Sequence, residues 1–163
     1  MTDLASYAPY FSPPPGATTC TSAVVYWMWC LENRNTNPVN FIGFLNALPV
    51  ARRTDVFLKN MAKAKGGRII WKRTKVLWRG AVVIWTTNAQ AAAHAGVNVG
   101  NNLICGYNQR GNFFNNNACV DPQGTRCSHK FNLINTTDYD VYTVGPNDAE
   151  KYFHKHQNNV SKW

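Results

Sequence analysis

Cys20 follows the stiff run Ser12-Pro13-Pro14-Pro15-Gly16 and stands where Thr18 or Thr19 can cap the start of an apolar helix. A cysteine attacks an acyl carbon as the thiolate, and a helix N-terminus with a nearby imidazole is the usual means of lowering its pKa. His94 is the imidazole with the best setting. It opens an alternating segment in which Ala95, Val97 and Val99 fall on one face and His94, Gly96 and Asn98 on the other, with Gly96 leaving the backbone open to close approach. A third group usually orients the imidazole through its other ring nitrogen. A hairpin centred near Asn101 sets His94 across from about Asn108, with positions 106 and 108 on its face; position 106 is glycine, so Asn108 is the candidate, ahead of Gln109, Asp121 or a bare Cys20–His94 dyad. These residue types together suit nucleophilic thiol chemistry on an amide or ester. His129, His154 and His156 lie in polar or basic surroundings without a comparable setting, and no Cys-x-x-Cys pair is present, so no metal or other cofactor is expected.

The elements that must hold these residues are readable in outline. Cys20 to about Asn33 is a compact apolar helix stopped by Asn33-Arg34-Asn35-Thr36-Asn37-Pro38. From Val39 to about Lys65, Phe41, Phe44, Leu45 and Leu48, then Val56, Phe57 and Met61, recur at helical spacing and predict two short helices split at Pro49, ended by Gly66-Gly67. The pattern then changes to strand-like runs over 68–72, 81–86, 94–99, 103–107 and 139–144, with a turn at Gly100-Asn101-Asn102 and an Asn/Gly-rich loop over 108–117. Helices first and an antiparallel sheet second is an α+β order. The tail from Glu150 to Trp163 reads as a basic helix or a frayed end.

The 163 residues suit one domain, and 45% hydrophobic and 13% aromatic residues can fill its core. A net charge of +9 predicts attraction to a polyanion. The longest apolar stretch, Ala23 to Leu31, is too short to span a membrane, and the first seven residues lack the basic and apolar regions of a secretory signal, so export would need another carrier. Five cysteines leave at least one thiol free. Cys30 reads as buried packing, and Cys119 and Cys127 bracket a polar turn as a disulfide or as two thiols.

Three segments carry a resemblance to NlpC-type cell-wall peptidases. Thr19-Cys20-Thr21-Ser22-Ala23-Val24-Val25-Tyr26 is similar to their Asp-Cys-Ser-Gly-Leu-Val-x-Tyr helix start, Gly80-Ala81-Val82-Val83-Ile84-Trp85 to their Pro-Gly-Asp-Leu-Val-Phe-Phe strand, and His94-Ala95-Gly96-Val97-Asn98-Val99-Gly100-Asn101 to their His-Val-Gly-Ile-Tyr-Leu-Gly-Asn. The match covers about residues 7–109, with 110–163 an unassigned extension of the same domain. It implies a papain-like α+β fold, Cys20 as nucleophile, His94 as base, and hydrolysis of amide bonds in peptidoglycan stem peptides. Tyr10 or Tyr7 would match the family's groove-lining tyrosine, and Trp85 is a further substrate-binding candidate. The chain departs from the family at Thr19, Ala23, Ala81 and Gly106, where the family has Asp, Gly, Asp and its third polar residue. A small, basic catalytic chain of this kind resembles the type VI amidase effectors delivered into the periplasm of a target bacterium and paired with an immunity protein.

Two other readings compete. A Cys-His site also accepts protein glutamines or peptide bonds, which gives a deamidating or proteolytic toxin. Arg52-Arg53, Lys63, Lys65, Lys72-Arg73-Lys75 and Arg79, interleaved with Trp71 and Trp78, would alternatively make a nucleic-acid-binding face, although those tryptophans and Trp85 more often pack a core.

Overall fold

The computed structural model describes residues 3–11, 13–47, 51–68, 78–100, 103–107, 119–120, 127–130 and 139–163. The chain is α+β, with helices gathered on one face of an antiparallel sheet. A short first helix, α1 (Leu4–Tyr7), is capped by the Asp3 carboxylate, which accepts from Ser6 N–H. The central helix α2 (Cys20–Asn33) begins at its Thr19 N-cap and ends at Arg34, held in the left-handed conformation at φ 50°. Every residue from Thr21 to Cys30 is buried, because α2 packs on the sheet and on four other helices at once. Burial on all sides explains why its sequence is apolar throughout rather than striped.

Helix α3 (Pro38–Asn46) starts with proline at its first turn and an Asn37 side-chain cap, and α4 (Thr54–Lys65) follows, so the two helices expected across this stretch are both present. After α5 (Pro146–His156), a single 3-10 turn (Val160–Lys162) brings Trp163 back onto the core, where its ring stacks on Phe57 at 4.1 Å between centroids. The tail is therefore docked, not frayed. Pro13 and Pro14 are likewise buried, so part of the stiff run before α2 packs inward.

Among the described residues, seven strands, β1 (Gly67–Arg68), β2 (Val82–Thr86), β3 (Ala92–Asn98), β4 (Leu103–Gly106), β5 (Cys119–Val120), β6 (Cys127–Lys130) and β7 (Asp140–Val144), form one sheet in the order β1-β7-β2-β3-β4-β6-β5. The β3–β4 register, Val97 opposite Cys105 and Asn98 opposite Ile104, centres the hairpin on position 101 as the sequence predicts. Strands β5 and β6 have no counterpart in the sequence reading. On the helix-facing side Val82, Ile84, Ala95, Val97 and Val144 join the core of α2, α4 and α5. Their neighbours Val83, Trp85, His94, Ile104 and Val141 are also buried and fall on the opposite side. Burial of both faces accounts for the unbroken apolar run of β2. Trp78, a candidate for core packing, is instead 77% exposed. Trp71, the Lys72-Arg73-Lys75 patch and the loop over 108–117 lie outside the described residues.

Candidate active site

Local chemistry places Cys20 in the first turn of α2. The Thr19 hydroxyl accepts from Ser22 N–H at 3.1 Å and so fixes where the helix begins. The Cys20 thiol, half-buried, points to the edge of β3, where its S–H donates to the Ala93 carbonyl with Sγ 3.9 Å from the oxygen. Burial pushes its pKa above the ordinary thiol value, and the Asp55 carboxylate adds to the rise; backbone N–H groups of Ala95, Thr21 and Cys20 itself pull the other way without cancelling it. The resting group is a protonated thiol, and its ionisation is stabilised by three backbone donors already in place.

Cys20 opens onto a cleft of about 440 Å³ lined by Thr19, Thr21, Ser22, Arg52, Arg53, Thr54, Asp55, Ala92 and Ala93. Two helix starts form it, that of α2 and that of α4. A relay of hydroxyls ties them together: Thr19 donates to Ser22 Oγ at 2.7 Å, Ser22 Oγ and Thr54 Oγ1 lie 3.1 Å apart, and Thr54 Oγ1 and Thr21 Oγ1 3.0 Å apart. The α4 wall is absent from the sequence reading. Its available signal was Thr54-Asp55 opening an amphipathic run, a second helix start with hydroxyl and acidic residues in its first turn.

His94 sits on β3 between the two residues whose backbone meets Cys20. Its ring packs on Trp85, the residue opposite it on β2, with 5.0 Å between centroids, so it occupies the sheet face turned away from the helices. The structure thus brings Cys20 to the strand that carries His94, while the imidazole lies on the opposite, Trp85-packed side of that strand. Trp85 is 2% exposed and belongs to the packing around His94 rather than to an open groove, which corrects its assignment as a substrate contact. Tyr10, beyond α1, is 75% exposed; Tyr7 packs against the core and on Phe11, and neither is among the described residues that line the cleft. Asn108, its alternatives Gln109 and Asp121, and the proposed Cys119–Cys127 bridge lie outside the described residues and side chains.

Among the described residues no group of three or more His, Cys, Asp or Glu side chains is arranged to hold a metal, and no helix is long and apolar enough to cross a membrane. Compared with protein-family models, curated proteins and solved structures, the chain matches none.

Proposed function

We propose that the protein is an NlpC-type, papain-like cysteine hydrolase that cleaves amide bonds in peptidoglycan stem peptides. The observation that carries this reading is the Cys20 thiol in the first turn of an N-capped helix, open to a cleft and seated against the strand that bears His94. In the reaction, Sγ attacks the amide carbonyl as its proton passes to His94, a transfer that requires the imidazole to swing from its packing on Trp85 to the Cys20 side of β3. Backbone N–H groups at the α2 start, including that of Cys20, stabilise the oxyanion, and His94 returns the proton to the leaving amine. Water then hydrolyses the thioester, and the thiol is restored. The net charge of +9 favours approach to anionic cell-wall polymers. Delivery to the periplasm of a target bacterium, with a cognate immunity protein as partner, belongs to the same reading through the resemblance to amidase effectors.

The test is mass spectrometry of muropeptides after incubation of isolated peptidoglycan with the wild type and with Cys20→Ala. New fragments from the wild type alone are expected, with a loss of several powers of ten in rate in the variant and an unchanged fold. Equal cleavage by both proteins would remove Cys20 from the mechanism; cleavage by neither would refute the peptidoglycan assignment.

A further inference from the structure

Arg52, Arg53 and Asp55 all line the Cys20 cleft, and the fixings of their charged groups differ. The Arg52 guanidinium is clamped over the Phe44 ring at 3.9 Å and near the Trp163 ring at 5.0 Å, with Nη1 donating to the Gln157 carbonyl at 2.7 Å. Its charge is thus fixed against residues that do not line the cleft, which leaves Arg53 as the guanidinium free to meet a ligand there. Arg53 stands at the mouth, its side chain 59% exposed, and forks onto Asp55 through Nε at 3.3 Å and Nη2 at 2.9 Å. Such an exposed pair contributes little on its own, so a competing carboxylate can take Arg53 at small cost. Asp55 does not depend on that pair, because its Oδ1 also accepts from Val56 N–H at 2.9 Å. The positive ends of α2 and α4, helices of 14 and 12 residues, open on the same space.

We propose that this cleft selects acyl substrates that carry a free carboxylate beside the reacting carbonyl, with Arg53 as the residue that reads it and Asp55 as the charge that tempers the preference. The inference rests on the proposed reaction for its natural substrate, an acidic stem peptide, but the electrostatic preference belongs to the cleft and is measurable without turnover. A bidentate guanidinium–carboxylate contact would fix the substrate's orientation as well as its charge.

The experiment is alkylation of Cys20 in the intact protein by iodoacetate and by iodoacetamide, reagents of similar size that differ in charge, with modification at Cys20 read by peptide mapping. Arg53→Ala should lower the iodoacetate-to-iodoacetamide rate ratio about three- to fivefold, the effect of one unit charge near contact range in water. Asp55→Asn should raise the ratio, and both shifts should shrink at high ionic strength. Ratios unchanged by either substitution would overturn the inference, as would a folded protein in which neither reagent reaches Cys20. A second arm compares wild-type cleavage of a synthetic stem peptide with that of its carboxamide. Slower cleavage of the carboxamide by a higher KM, abolished in Arg53→Ala, supports the inference, and equal cleavage of the two peptides overturns it. Opposite ratio shifts without cleavage of either peptide would sustain the anionic preference and refute the hydrolase reading instead.

Discussion

Replacing Gly96 by alanine tests the packing that holds the His94 strand in place. An added Cβ would stand 2.5 Å from Ile104 Cγ2 and 3.1 Å from the Cys105 carbonyl oxygen. Ordinary carbon–carbon contact lies at about 3.5–4.0 Å, so Ile104 must retreat by roughly 1 Å or β4 must part from β3. Ile104 is fully buried and has no open side to retreat to. Overpacking of this kind costs about 1–3 kcal/mol, and the lower chain entropy of unfolded alanine offsets about 0.4–1 kcal/mol of it, which leaves a net loss near 1–2 kcal/mol. Ile104→Ala removes the clashing methyl at the expense of a cavity worth about 2–5 kcal/mol by itself. The double variant should therefore be more stable than the two losses summed, by about 1 kcal/mol or more. Urea unfolding followed by far-UV circular dichroism measures this, with the midpoint shifting at constant slope. A Gly96→Ala midpoint equal to the wild type's, or strictly additive losses, would refute the placement of Ile104 over Gly96.

Other consequences follow from the cleft and the core. Thr54→Val keeps the shape of the side chain but removes the hydroxyl shared by Thr21 and Ser22; thermal or urea unfolding should show a loss of about 1–3 kcal/mol, and no loss would mean that the relay does not join α2 to α4. Burial pushes the Cys30 thiol from the ordinary 9.0 to about 12, and the Cys20 thiol also upward. Below pH 9 folded and unfolded chains both hold these protons; between 9 and 12 the unfolded chain has released that of Cys30 while the folded one keeps it. Stability should then fall as pH rises through this window, by up to about 1.4 kcal/mol per pH unit for each such thiol, and the fall should be shallower in Cys30→Ala.

The helix start at Cys20 is legible because its causes are neighbours in sequence: a proline-rich run that cannot be helical, the Thr19 hydroxyl that caps Ser22 N–H, and an apolar run long enough to propagate. The strands of the central sheet and the hairpin centre at position 101 follow from alternation and turn residues in the same way. Gly96 announces a close approach, yet only the fold shows that Ile104 makes it. The cleft depends on residues 19–22 meeting residues 52–55, and the docking of Trp163 on Phe57 depends on contacts across still more of the chain. Alternation already sets His94 and Asn98 on the face opposite Ala95 and Val97, but that the helices, and Cys20 with them, cover the Ala95–Val97 face is decided only by the tertiary packing. Capping and periodicity are decided by hydrogen bonds and sterics within a few residues. Which surfaces then meet is decided by apolar burial summed over the whole chain, and no local pattern contains that sum.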